Sequence, residues 1–230
     1  GLLMDADGGW ASDDNPTGAI TAVPNAHAVT GFGNTIYATG YDLGQVGIAH
    51  VVGNQLVEDT QKTINLKQDI KEKTGDVDAK SYDTLKDTDG TVTTTGVHGE
   101  GLLVKDGYLY VAASVNLKGG YENYDNGYLM QYKINNDGSL SYSGYARIGK
   151  NTNAVKLNNY NHLILATSIG GYQNYGFGNK ETSLDYVNIT GNAIGNIHDK
   201  KSVVLPEQVK NDGFDFRDMK VLPNGTVYIM

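Results

Sequence analysis

Two sets of residues in this chain have the types and spacing to do chemistry or recognition. The first combines imidazole, carboxylate, amide and guanidinium groups: His27, His98, Glu100, Asn153, Arg217 and Asp218. A pattern that recurs along the chain sets His27, Glu100, Ala154 and Asp218 in one row. Asn25, His98, Thr152 and Phe216 stand two residues earlier, with Asn153 and Arg217 between. A histidine beside a carboxylate can move protons near neutral pH or hold a metal. Glu100 and Asp218 are the one pair of carboxylates suited to glycoside cleavage, and they would have to lie about 5–10 Å apart. The plainer reading is a set of polar groups lining a wet channel.

The second set is aromatic. Gly119-Gly120-Tyr121-Glu122-Asn123-Tyr124 repeats as Gly170-Gly171-Tyr172-Gln173-Asn174-Tyr175. Tyrosine presents a flat apolar face with a polar tip and has little entropy to lose, which suits a recognition surface. Tyr121, Asn123, Tyr124, Tyr172, Asn174 and Tyr175 are therefore candidate ligand-binding residues for carbohydrate, peptide or a protein surface. Alternatively the two loops simply pack together.

A third cluster is acidic. Asp5, Asp7 and Asp13, in Asp5-Ala6-Asp7-Gly8 and Asp13-Asp14-Asn15, gather the oxygen ligands that calcium prefers. The spacing is not that of an EF-hand: its glycine is displaced and the twelfth-position glutamate is missing. Calcium is the sole cofactor the sequence suggests. The chain has no cysteine, which excludes disulfides, thiolate ligands and a cysteine nucleophile. It has no Gly-x-Ser-x-Gly and no glycine-rich phosphate loop ahead of a helix.

A formal charge of −8 argues against nucleic acid as a partner. No run approaches the roughly 20 apolar residues of a membrane-spanning helix. The bias toward Tyr, Asn, Gly and Thr is that of an exported bacterial protein, so an extracellular, cell-surface or periplasmic location is expected. Gly1 is not an initiator methionine, and the chain reads as a processed or trimmed product.

The elements that must position these residues are short strands. The 30 glycines and 16 tyrosines sit among β-branched runs bounded by turn residues. Asp106–Ser114 reappears as Tyr160–Ser168, with weaker copies at Gly33–Thr39 and Asn224–Met230. This repeat puts Tyr37, Tyr110, Ile164 and Tyr228 at equivalent places. Around each copy lies a four-strand plan. The plan predicts strands at 27–32, 35–41, 46–52 and 55–59, then at 98–104, 108–114, 128–134 and 139–148. The next unit has 153–157, 162–168, 184–189 and 193–198, with 190–192 turning between the last two. A half unit follows at 216–222 and 226–230. The charged stretch Lys62–Lys73 is expected to form a short helix.

Units of this kind resemble the four-stranded antiparallel blades of a β-propeller, over nearly the whole chain. No subfamily is assignable. Gly170-Gly171-Tyr172 resembles part of a kelch repeat, but the downstream tryptophan is absent, as is the Trp-Asp pair of WD40 repeats. The resemblance implies an all-β fold with one propeller domain, or part of one, over residues 1–230. It comprises a partial blade at 1–23, blades at about 24–59, 97–150 and 151–198, and a half blade at 214–230, with inserted joints at 60–96 and 199–213. A β-sandwich and a β-solenoid are the competing folds. Three blades and fragments fall short of the usual ring of about 4–8. A longer polypeptide or a second chain is therefore expected to complete it.

In a propeller the first strand of each blade begins at the channel mouth. The resemblance thus implies that His27, His98, Glu100, Asn153, Arg217 and Asp218 converge there, with the tyrosine loops on the face of the joints. The expected function is an exported, non-enzymatic binding or interaction module. The alternatives are a propeller glycoside hydrolase or lyase, and a structural scaffold completed by another chain.

Overall fold

The computed structural model describes residues 18–86, 95–120, 122–171, 181–212 and 214–230. The described residues are mostly β, built of sheets that are antiparallel but for one short parallel pairing, and none of these sheets is closed. The first sheet is a meander of β1 (Ala26–Phe32), β2 (Thr35–Gly40), β3 (Gln45–Val52) and β4 (Gln55–Glu58). The two-residue strand β5 (Ile64–Asn65) returns to pair with Gln45 and Val46 of β3. Helix α1 (Leu66–Lys73) follows. Its N-terminus is capped by Asn65, whose side chain accepts a hydrogen bond from the Gln68 N–H. The helix expected from Lys62 thus starts four residues later, after a 3₁₀ turn at Thr60–Lys62.

The second sheet runs β6 (Gly96–Lys105), β7 (Tyr108–Asn116), β8 (Tyr124–Ile134) and β9 (Leu140–Lys150), each antiparallel to the next. The third contains β10 (Thr152–Asn158), β11 (Leu163–Ser168) and β12 (Ser183–Asn188). After β13 (Asn196–Ile197) and α2 (Glu207–Asp212) come β14 (Met219–Val221) and β15 (Val227–Ile229), a two-stranded sheet. Among the described residues no helix is long and apolar enough to cross a membrane.

One expected strand goes elsewhere. Residues 193–198 do not turn back onto β12. Instead β13 lies parallel to β9 of the second sheet, pairing Asn196 with Tyr145 and Ile197 with Ala146. Glycine makes this approach possible, because a side chain on Gly144 would run into the Gly195 carbonyl. The Gln131 side chain holds the segment by donating to the Asn192 carbonyl and accepting from the Ile194 N–H. The free edge of β12 is taken by 201–203. There the Tyr186 N–H donates to the Lys201 carbonyl, and the Val203 N–H to that of Leu184. Part of the expected joint at 199–213 therefore completes the third sheet.

The sheets pack in chain order through their first strands: β1 against β6, β6 against β10, β10 against β14. Side chains alternate across each sheet, so the second and third sheets each contribute to two cores. Tyr37 and Ile48 meet Leu109 and Val111 in the first. Tyr110 and Leu129 meet Ile164 and Ala166 in the second. Leu165 and Leu184 meet Phe216 and Met219 in the third.

This alternation corrects the repeat by one residue. Tyr37 and Tyr110 face the following sheet, and in the third sheet Leu165 does so, not Ile164. The β10–β11 turn has four residues, Asn159 to His162, where the earlier turns have two. A shift of one residue moves each side chain to the other face.

Candidate functional site

Each of the first three sheets carries a β-bulge near the start of its first strand. In β1 the register passes from Ala26 opposite Gly40 to Ala28 opposite Thr39, leaving His27 as the extra residue. In β6 it passes from Gly99 opposite Ala113 to Leu102 opposite Val111, so Glu100 and Gly101 oppose Ala112. In β10 Asn153 and Ala154 oppose Thr167. A bulge re-aims the side chain it inserts. Counted from the bulges, the residue matching His27 and Glu100 is Asn153, not Ala154.

His27 and Glu100 meet across two sheets. The His27 Nε2 lies 2.9 Å from a Glu100 carboxylate oxygen, with the imidazole 30% exposed and the glutamate side chain only 2%. The other carboxylate oxygen accepts the Ser114 hydroxyl at 2.8 Å. The Glu100 backbone carbonyl accepts the Thr39 hydroxyl at 2.6 Å, and the Thr39 oxygen accepts the Ala28 N–H at the bulge. The hydrogen bond that His27 donates to the Glu100 carboxylate raises the His27 pKa above its ordinary value. Burial opposes the rise, and the carboxylate charge adds to it.

His98 stands beside this pair, fully buried. Its ring stacks on Tyr41, with centroids 4.2 Å apart and planes within 6°. Its Nδ1 lies 2.8 Å from the Tyr41 carbonyl. A carbonyl only accepts, so this nitrogen carries the proton. Tyr41 in turn places its hydroxyl 2.9 Å from that of Tyr124, and its ring centroid 6.5 Å from that of His27. Tyr41 therefore joins the polar group at the strand starts to the end of the glycine–tyrosine loop. The sequence pattern marks Tyr41 only as the last residue of a predicted strand, and nothing in it signals a contact between sheets.

The remaining candidates have other partners. Asn153 sits at the third bulge with its carbonyl against Gly101, where a Cβ would come within 2.7 Å of it. Arg217 and Asp218 lead into the fourth sheet. Arg217 donates to Asp215 at 2.9 Å, and Asp218 lies 3.8 Å from the Lys156 amine. Glu100 and Asp218 thus serve different sheets, one buried and one exposed. Asn123 uses its amide nitrogen on the Gly119 carbonyl at 2.6 Å, which shapes its own loop, and Tyr124 is buried. Tyr121, Tyr172, Asn174 and Tyr175 lie outside the described residues, as do Asp5, Asp7 and Asp13.

Two further polar clusters bind elements together. Arg147, 3% exposed, donates to Asp76 and Asp78 at 2.9 Å each and to the Asn126 carbonyl, and lies 4.5 Å from the centre of the Tyr128 ring. Burial would raise the Asp76 carboxyl. The Asp78 N–H, the Tyr128 hydroxyl and Arg147 outweigh it and hold the carboxyl below its usual value. Asp76, Asp78 and His198 have spacing compatible with a metal, but the Arg147 guanidinium already supplies the cation there. In the third sheet the buried Asp185 accepts from the Gly149 N–H and from the hydroxyls of Ser168, Ser183 and Ser202. These bonds fasten 201–203 to the sheet edge.

No protein-family model matches the chain, and no curated protein does. Among solved structures, it is similar to a functionally unknown protein from Desulfotomaculum acetoxidans DSM 771. Identity is 8% and the TM-score 0.36, over 89% of this chain and 62% of that one. It is also similar to a protein from Bacteroides uniformis ATCC 8492 provisionally named a 6-phosphogluconolactonase. Here identity is 10% and the TM-score 0.35, over 87% of this chain and 62% of that one. The chain thus spans under two thirds of either structure.

Proposed function

We propose that the chain is part of a β-propeller that acts as an exported, non-enzymatic binding module for carbohydrate or peptide. Its location would be extracellular, cell-surface or periplasmic. The four-strand meanders of the first two sheets and the packing of successive sheets through their first strands support the propeller reading. The ligand edge would be the one where the bulged strands begin.

The observation that carries this reading is the junction at Tyr41. One side meets the partly exposed imidazole of His27, and the other meets Tyr124 at the foot of the glycine–tyrosine loop. Such an edge combines an imidazole held by a carboxylate with aromatic surface. Large apolar groups with a few fixed polar ones are the usual make-up of a binding site. Binding is favoured over catalysis because the hydroxyl bonded to the Glu100 carboxylate, that of Ser114, is buried and donates to Glu100, not to His27. It is not poised as a nucleophile.

The second reading is an acid–base enzyme, and the His27–Glu100 pair favours it, since a buried carboxylate orienting an imidazole is a common catalytic arrangement. Incubation with soluble glycans and peptides, followed by separate assays of retained and cleaved material, distinguishes the two. Retention without turnover supports the module. Cleavage that is lost in His27→Ala supports the enzyme.

A further inference from the structure

The opposite end of the first two sheets holds a second candidate site. The β1–β2 turn at Gly33-Asn34 and the β8–β9 turn at Asn135 to Gly138 line an open pocket of about 440 Å³. Small-molecule sites span about 300–1,000 Å³. The floor is fixed. The Tyr37 hydroxyl donates to the Gly138 carbonyl at 2.6 Å. Gly138 adopts φ 81°, and a Cβ there would come within 2.6 Å of Thr35 Oγ1 and 2.9 Å of His50 Cε1. The turn is pinned as well. Lys62 bridges Asp59 and Asp137 at 2.9 and 3.2 Å. The Ser139 hydroxyl and N–H, together with Lys62, pull the Asp137 carboxyl down to about 2, so it is ionised at neutral pH.

The rim is mixed in character. Phe32 is 46% exposed. The amide side chains of Asn34 and Asn136 are exposed beside it. Asn135 donates its side-chain amide N–H groups to the hydroxyls of Ser139 and Ser141, which leaves its Oδ1 as an acceptor. A preset turn of this kind has little ordering entropy to lose on binding. An apolar ligand would leave the amides without partners, and an anion would meet the Asp137 charge. The matching ligand has one apolar face for the Phe32 ring and a ring of hydroxyls for the amides and carboxylate. We propose that this pocket binds a neutral hexopyranose unit of a glycan, independently of the bulged edge.

The test is an NMR titration of the ¹⁵N-labelled protein with the α- and β-methyl glycosides of glucose, galactose and mannose. Single pyranoses are expected to bind with a Kd of roughly 1 mM or weaker, about −4 kcal/mol. The expected result is saturable shifts of the Asn34 and Asn136 side-chain amides with at least one glycoside. Phe32→Ala should weaken that binding about tenfold or more, a change of about 1.4 kcal/mol, and Phe32→Tyr should retain it. Asn136→Ala, in an exposed turn, gives the same loss without disturbing a strand. The proposal is overturned if no glycoside gives saturable shifts. It is overturned equally if Phe32→Ala and Asn136→Ala both bind normally, or if residues around His27 and Tyr124 shift while Asn34 and Asn136 do not.

Discussion

The imidazole of His27 and the carboxylate of Glu100 meet at 2.9 Å, although each belongs to a different sheet. Both are inserted by β-bulges, in β1 and β6, so the contact depends on the same irregularity occurring twice. Glu100 is nearly enclosed while His27 reaches solvent. The pair therefore links the packing of two sheets to the proposed ligand edge.

The first prediction concerns the charge on His27. Its pKa is raised in the folded protein, chiefly by the hydrogen bond it donates to Glu100. The stabilisation is fully present below the ordinary histidine value of about 6.5 and is lost as pH rises through the higher folded value. The His27 ring signal in an NMR titration should have its midpoint above 6.5. Glu100→Gln should bring the midpoint down. An identical midpoint in both proteins would show that Glu100 does not set the charge.

A second prediction follows from Arg147. Replacing it with Met leaves the Asp76 carboxylate buried without its cation, and breaking such a pair costs about 3–5 kcal/mol. Urea denaturation should show a loss of that order. The Asp76 pKa is depressed, so its contribution is present above the unfolded value of about 3.9 and is lost as pH falls through the folded one. Asp76→Asn should therefore flatten the acid side of the stability profile below about pH 4. A profile parallel to that of the wild type would assign acid sensitivity to other groups.

A third prediction tests the close approach of the second and third sheets. A Cβ on Gly101 would come within 2.7 Å of the Asn153 carbonyl oxygen and 2.9 Å of the Val155 nitrogen, both backbone atoms. Gly101→Ala should destabilise by about 1–3 kcal/mol through forced separation of β6 and β10. Calorimetry would register this as a lower Tm, and an unchanged Tm would mean that the two strands lie further apart.

Much of the fold was legible in the sequence because it is written locally. Turn residues such as Asp106-Gly107 and Asn135 to Gly138 bound runs of alternating side chains, and the hairpins follow from them. The destination of Asn196-Ile197 was not legible, since two residues carry too little pattern and a distant sheet edge decides their pairing. The four-residue turn before Leu163 displaced the repeat by one, which hid the match of Asn153 with His27 and Glu100. In the candidate site, His27, His98 and Glu100 stood out by type and position. Tyr41 and Ser114 did not, because their partners lie in other strands and sheets.

The proposed ligand edge is tested most directly by calorimetric titration of wild type and His27→Ala with a glycan or peptide that the wild type retains. The account predicts that His27→Ala remains folded and loses affinity about tenfold or more, the order of one lost charge-assisted hydrogen bond. Equal affinity in both proteins would contradict a ligand edge at the bulged strands.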